Sequence, residues 1–243
     1  MESTPISRVD VKPNETVDAF LDGRLRLIQS RNGYRFSIDA VLLAGFVTSK
    51  PGEVIVDLGT GCGVIPLMLL LTRSISYAVG VEIQPDLADQ ARRNALLNGY
   101  GERMAVVLGD ARHVPIRPLS ADIVLCNPPY RKRDSGRIST DRERAIARHE
   151  IKLSLDDILE AARMLLRPRG RFAMVYPAFR LVDMLVRMRA FGLEPKRIQV
   201  VYPEPETDSK LVLVEAVPGG GVGVRILPPL FGQGEFSIPG KAF

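Results

Sequence analysis

The run Asn127-Pro128-Pro129-Tyr130 carries the most specific chemistry in this 243-residue chain. Adjacent prolines fix φ near about −65° and lack N–H donors, so the turn presents carbonyl oxygens in a rigid array. The Asn127 side-chain oxygen and the Pro128 carbonyl can each accept one hydrogen of a planar NH₂ group, steering the nitrogen lone pair toward an electrophile. Tyr130 offers a flat face on which the acceptor can stack, a contact worth about 1–3 kcal/mol for a nucleobase. Methyl transfer from a sulfonium to such a nitrogen is an in-line displacement with a good leaving group. It depends on alignment and desolvation more than on a strong acid, base or metal. The bland reading of the same four residues is a proline turn with a buried tyrosine, and the residues upstream decide between the two.

Those residues are three acids and a glycine loop. Asp57-Leu58-Gly59-Thr60-Gly61-Cys62-Gly63 joins an apolar run to a helix-like stretch, where glycines let a ligand approach the backbone. The spacing is G-x-G-x-G, one residue short of the dinucleotide fingerprint G-x-G-x-x-G, and favours a ligand without pyrophosphate. Glu82 lies 23 residues beyond Gly59 and ends the next apolar run, where a carboxylate can accept both ribose hydroxyls; Ile83 follows it. Asp110, followed by Ala111, ends the third run and can accept an adenine amine. Asp57 can anchor a ligand amino group, while Gly59, Thr60, Gly61 and Gly63 line the ribose and methionine arm. Each acid alone reads equally well as a solvated strand end or a helix cap. Three of them ending successive strands describe a cationic, adenosine-bearing ligand, S-adenosylmethionine.

Positioning these residues requires an α/β architecture. From about residue 53, short apolar runs alternate with longer helical ones, the pattern of a parallel sheet flanked by helices. Strands are predicted at Glu53–Asp57, Tyr77–Glu82, Met104–Leu108, Asp122–Cys126, Arg171–Tyr176, Arg197–Tyr202 and Leu211–Ala216, which makes seven. Helices are predicted at Gly63–Arg73, Pro85–Asn98, Ser154–Arg167 and Ala178–Phe191. A turn-like PEPETDSK separates the last two strands, so they should form an antiparallel hairpin. Upstream, Leu25–Gln29 is a candidate strand and Ile38–Phe46 a short helix entered through Ser37. The expected organisation is one domain: a cap over residues 1–50, a cofactor-binding core over 51–216, and an extended tail or loosely packed edge over 217–243.

Composition narrows the setting. Formal charge is +5 and the pI about 9.4, which permits a polyanionic partner without requiring one. Between Arg131 and His149 there are seven Lys or Arg against three acids, a local excess of four. That stretch reads as a mobile loop beside the acceptor pocket, in which Arg131, Lys132, Arg133 and Arg137 are candidate phosphate ligands; its bland reading is a solvated surface loop. Cys62 and Cys126 are too few for a disulfide framework or a four-cysteine zinc site, and read as small buried hydrophobes in a reducing, cytoplasmic protein. His113 and His149 have no metal-ligand partner at suitable spacing, so no metal is expected. The amino terminus lacks the apolar centre of a signal peptide. The longest apolar run, Val64–Leu71, falls well short of the roughly 20 residues a membrane span needs.

Taken together, IQSRNGYRFSIDAVLLAGF, VDLGTGCGVIPLMLL, VGVEIQ, CNPPY, AIARHEIKLSLDDIL, EPKRIQVVYP and LVLVEA resemble the bacterial adenine-N6 methyltransferases that modify adenosine-37 of valine tRNA. The resemblance implies a Rossmann-like class I methyltransferase fold, S-adenosylmethionine as cofactor, and tRNA as partner. It also implicates Tyr34, Ser37 and Asp39, since GYRFSIDAVLLA looks like the methionine-contacting motif of such enzymes; without it, Asp39 reads as a helix-start residue. The PETDSK turn and PGGGVG tail depart from the family pattern and leave RNA contacts there undefined. DLGTGCG and NPPY are shared with other enzymes, so they speak to chemistry and not to substrate. Glutamine-amide N5 methylation of a protein is a competing expectation, although such enzymes carry a helical domain before the cofactor fold and only about 50 residues precede the first core strand here. A guanine-N2 RNA acceptor, a small-molecule acceptor and a non-catalytic binding scaffold are the others. The sequence leaves the oligomeric state open.

Overall fold

The computed structural model describes residues 9–33, 35–128 and 153–232. A hairpin of β1 (Glu15–Phe20) and β2 (Leu25–Ser30) leads into α1 (Ile38–Phe46). The core then alternates β3 (Val54–Leu58), α2 (Val64–Thr72), β4 (Tyr77–Glu82), α3 (Pro85–Leu97), β5 (Met104–Leu108) and β6 (Ala121–Cys126). It continues with α4 (Leu155–Leu165), β7 (Leu166–Pro177), α5 (Leu181–Ala190), β8 (Leu193–Tyr202) and β9 (Leu211–Pro218). Two-residue strands β10 (Arg225–Ile226) and β11 (Leu230–Phe231) close the described chain.

In the main sheet the order is β10-β8-β9-β7-β6-β3-β4-β5, with β11 also on β8. Pairing is parallel from β5 to β7, and β9 runs antiparallel to both its neighbours. All seven expected core strands are present. Both faces of the sheet are covered, which is why its central strands read as unbroken apolar runs. Ile55, Ile123, Leu125, Ala173 and Val175 face α1 and α2, while Val56, Val124, Cys126, Phe172 and Met174 face α4 and α5.

Three expectations need amendment. β1 was not anticipated. The helix expected to reach Arg167 stops at Leu165, because Pro168 disfavours the helical region for the residue before it; the chain turns extended and β7 starts at Leu166 instead of Arg171. The helix expected from Ala178 opens with a 3₁₀ turn over Ala178–Arg180. The tail contributes the two-residue, largely exposed strands β10 and β11 along β8; residues 233–243 lie outside the described part.

The hairpin is held to α3 by side chains one helical turn apart. Gln90 Nε2 donates to Ser30 Oγ (3.3 Å). Asn94 Oδ1 accepts from Ile28 N–H (2.6 Å) and its Nδ2 donates to Ile28 C=O (3.1 Å). Asn98, at the helix C-cap, repeats this with the N–H and C=O of Arg26 (2.9 and 2.8 Å). Four helical residues rise about 6 Å and two strand residues about 6.8 Å, so successive amides meet alternate residues of β2 as a neighbouring strand would.

Beside this ladder the Arg93 guanidinium grips Glu15 with both terminal nitrogens (2.7 and 2.6 Å) and also reaches Asp89. Glu15 is buried, and Arg93 holds its carboxyl down at about 2, below the ordinary 4.5. A depressed carboxyl contributes stability that is complete above the unfolded value and lost as pH falls through the folded one. Glu15→Gln should therefore destabilise the fold by about 2–3 kcal/mol at pH 7. In urea melts between pH 7 and 2 the gap from wild type should close as pH drops below 4.5; a gap independent of pH would refute the assignment.

Candidate active site at the sheet switch point

After β5 the chain returns to the other side of β3 to form β6, so connections leave β3 and β6 in opposite directions across the sheet. Ligands bind outside the carboxyl ends of strands at such a point. The register places Leu58 of β3 level with Cys126 of β6 and with Val81 of β4, and Glu82 level with Leu108. Gly59, Asn127, Ile83 and Gly109 therefore leave four adjacent strands at one edge.

The glycine loop is pinned to β4. Gly59 and Thr60 both donate their N–H to Val81 C=O (2.9 and 3.0 Å), and Gly63 donates to Thr60 C=O (3.0 Å). Gly59 and Gly63 adopt φ of 76° and 84°, the left-handed region that glycine enters without strain. At Gly59 a Cβ would meet nothing within 4 Å, so the backbone is open to a ligand. At Gly63 a Cβ would come within 2.9 Å of Met104 Cε and 3.2 Å of Ala91 Cβ, so this glycine lets the start of α2 close against α3.

Asp57 is fully buried beneath the loop. Its Oδ2 accepts from Thr60 Oγ1 (2.8 Å), and among the described residues Oδ1 has no hydrogen-bond partner. Burial pushes the carboxyl up to about 7, the Thr60 hydroxyl pulls it partly back, and the neighbouring Glu82 charge adds to the rise. An orphaned, desolvated carboxylate oxygen under an open glycine backbone fits a ligand that brings a cation. Glu82, also buried, accepts from Gly61 N–H and Gln84 N–H, both at 2.9 Å and on different oxygens. It thus organises the loop, and Oε2 retains a second lone pair for a ribose hydroxyl, whereas Oε1 also accepts from Gln84 Nε2 (3.5 Å). Asp110 is partly exposed and paired with Arg112, which lowers its carboxyl below the ordinary range by direct hydrogen bonding. Its anchor was not anticipated, although Arg112 two residues away was the available signal. Ala111 opens a 3₁₀ turn capped by the Asp110 side chain.

Asn127 is half-buried and Pro128 buried, directly after β6. Ser37 caps α1 without a side-chain bond, and Asp39 is buried in its first turn. Residue 36 is tied to the site indirectly: Phe36 N–H donates to Gln29, next to Ile28, whose partner Asn94 also donates to Cys62 C=O (2.9 Å) in the glycine loop. Sequence reasoning missed Asn94, which carries no motif. Tyr34, Pro129, Tyr130, Arg131, Lys132, Arg133, Arg137 and His149 lie outside the described residues. Cys62 and Cys126 are buried as expected, and burial raises both thiols, Cys62 to about 12. Among the described residues no His/Cys/Asp/Glu group could hold a metal, and no helix is long and apolar enough to cross a membrane.

Known proteins agree with this geometry. Residues 49–199 match the family model described as a methyltransferase domain. A tRNA1(Val) (adenine(37)-N6)-methyltransferase of Porphyromonas gingivalis is 32% identical over 206 residues, covering 82% of this chain and 80% of the relative. Among solved structures, a predicted O-methyltransferase of Agrobacterium tumefaciens superposes with a TM-score of 0.64 at 20% identity, over 82% of this chain and 89% of that one. The geranyl diphosphate C-methyltransferase of Streptomyces coelicolor, solved with S-adenosyl-L-homocysteine, gives 0.54 at 15% identity, over 73% and 77%. These likenesses fix the fold as that of class I methyltransferases.

If a cationic amino group pairs with Asp57, binding must ionise a carboxyl that is partly protonated at neutral pH. Calorimetry of S-adenosylhomocysteine binding in buffers of different ionisation enthalpy should show a fraction of a proton released near pH 7, and affinity should rise as pH increases from about 6 to 8. Asp57→Asn should abolish the release and weaken binding at least tenfold, on the order of a lost charge-assisted bond. Proton-neutral binding by wild type would exclude the pairing.

Proposed function

Because this chain belongs to the family of tRNA1(Val) (adenine(37)-N6)-methyltransferases, we propose that it methylates the exocyclic N6 of an adenine in tRNA, adenosine-37 of valine tRNA, in the cytoplasm. Its methyl donor is S-adenosylmethionine. The main support is structural: Asn127 and Pro128 follow β6 at the switch point, one strand away from the glycine loop that follows β3. When bound, S-adenosylmethionine supplies an electrophilic methyl carbon on a sulfonium.

The protein's own residues provide the rest. Asp57 holds the donor's amino group, Gly59 to Gly63 line it, Glu82 takes the ribose, and Asp110 with Ala111 takes the adenine; Ile83, Tyr34, Ser37 and Asp39 complete this half. Asn127 and the Pro128 carbonyl accept the two N6 hydrogens, which aims the lone pair, while Pro129 keeps the turn rigid and Tyr130 stacks on the base. The target adenine must leave its neighbours to reach Asn127, as enzymes acting on base edges require. No general base is needed before transfer, since the amine is the nucleophile and becomes acidic only once methylated; the surplus N6 proton then leaves to solvent.

Asn127→Ala should lower the rate of methyl transfer on the order of a hundredfold, the usual effect of removing one transition-state hydrogen bond, with S-adenosylhomocysteine affinity within a few-fold of wild type. Mass spectrometry of nucleosides from treated tRNA checks both product and rate. Methylation of a release factor or of guanine N2 with tRNA adenine untouched would overturn the substrate.

The basic stretch 131–137 is the reading's phosphate contact. Each phosphate contact contributes about 0.7–0.9 to the slope of log affinity against log salt, so replacing Arg131, Lys132 and Arg133 with Ala should flatten the slope for tRNA by about 2–3. Cofactor affinity should be unaltered; an unchanged salt slope would reduce the stretch to a solvated surface.

A further inference from the structure

We infer that Asn94 is a positioning residue for the cofactor loop, through which the N-terminal hairpin becomes part of the S-adenosylmethionine site. The inference rests on the reading of the glycine loop as that site. Asn94 is fully buried on α3, and its amide makes three bonds to two segments far from it in sequence. Oδ1 and one N–H satisfy both backbone groups of Ile28 in β2, and Nδ2 donates to Cys62 C=O at 2.9 Å. Cys62 lies between Gly61, whose N–H is held by Glu82, and Gly63, which packs on Ala91 one turn away from Asn94. The loop is thus fixed from two sides: a carboxylate orients the N–H of Gly61, and an amide orients the carbonyl of Cys62. A peptide chain at left-handed glycines has few other restraints on the direction of that carbonyl.

Asn98 provides the internal contrast. It makes the same pair of bonds to Arg26 in β2, but its remaining contact goes to Asn94 C=O in its own helix, not to the loop. Both asparagines dock the hairpin; Asn94 alone of the two also touches the loop. A purely structural role would make the two substitutions equivalent in kind, whereas a positioning role separates them.

The test uses the full chain. Asn94→Asp keeps the shape and the acceptor for Ile28 N–H while removing the donors; Asn94→Ala removes all three bonds; Asn98→Ala is the comparison. Affinity for S-adenosylhomocysteine is measured by calorimetry at pH 8, at a temperature where thermal melts show each variant folded. Both Asn94 variants should bind about tenfold more weakly, with KM for S-adenosylmethionine raised and kcat at saturation changed less than twofold. Asn98→Ala should lower the melting temperature yet bind within twofold of wild type. Wild-type affinity in Asn94→Asp, or equal weakening in Asn98→Ala, would overturn the inference. Failure of wild type to bind the ligand would instead overturn the reading of the loop on which it rests.

Discussion

The central constraint of this molecule is that β3 is hydrogen-bonded in parallel on both sides, to β4 and to β6. Parallel partners must be reached by crossovers, and the connection can return to only one side of β3 at a time. The chain therefore builds outward through β4 and β5, then reverses to β6 and β7. The loops after β3 and β6 consequently part from each other, and the gap between them is lined by whatever residues end those strands. Asp57 and the glycines arrive from one side and Asn127 from the other. Cofactor half and acceptor half are separated by topology before any side chain is chosen.

A second consequence is electrostatic. A carboxylate at the end of a strand buried on both faces has lost its water, and Asp57 has only the Thr60 hydroxyl in return among the described residues. Glu82, equally buried, is better served because two backbone N–H groups converge on it. The two acids thus divide the work: Glu82 is satisfied by the protein and shapes the loop, while Asp57 is left in need of a positive charge. Such a site gives up some stability of the free protein and gains affinity for a cation.

Most of this was legible because buried parallel strands must be apolar along their whole length. Runs such as VIVDL and YAVGVE left little choice of element, and the acids at their ends stood out against that background. The first strand of the hairpin was illegible for the opposite reason. β1, ETVDAF, is half solvated, and beyond its pairing with β2 it is tied to α3 by Arg93, 78 residues from Glu15. Gln90, Asn94 and Asn98 look like ordinary polar positions of an amphipathic helix; their function as a substitute strand depends on a docking that no local pattern encodes. Glu82 was read as a ribose ligand but not as the partner of Gly61, since a bond from a strand end to a loop 21 residues back is fixed by register alone. The acceptor turn beyond Pro128 and the basic stretch after it were legible only as motifs, and lie outside the described residues.

The short strands of the tail give the sheet a different kind of protection. β8 is ten residues long and lies at the margin of the sheet, where Leu227 N–H and Gly232 N–H occupy the carbonyls of Ile198 and Tyr202. An uncovered strand of that length, with Ile198 buried on one face of the sheet and Val201 on the other, is a template on which a second chain can add. Pro228 and Pro229 interrupt the covering segment, so it can occupy the margin in two short pieces without offering a continuous new edge of its own. Where β10 and β11 lie, the outer backbone groups of β8 are already taken and are closed to pairing with another chain.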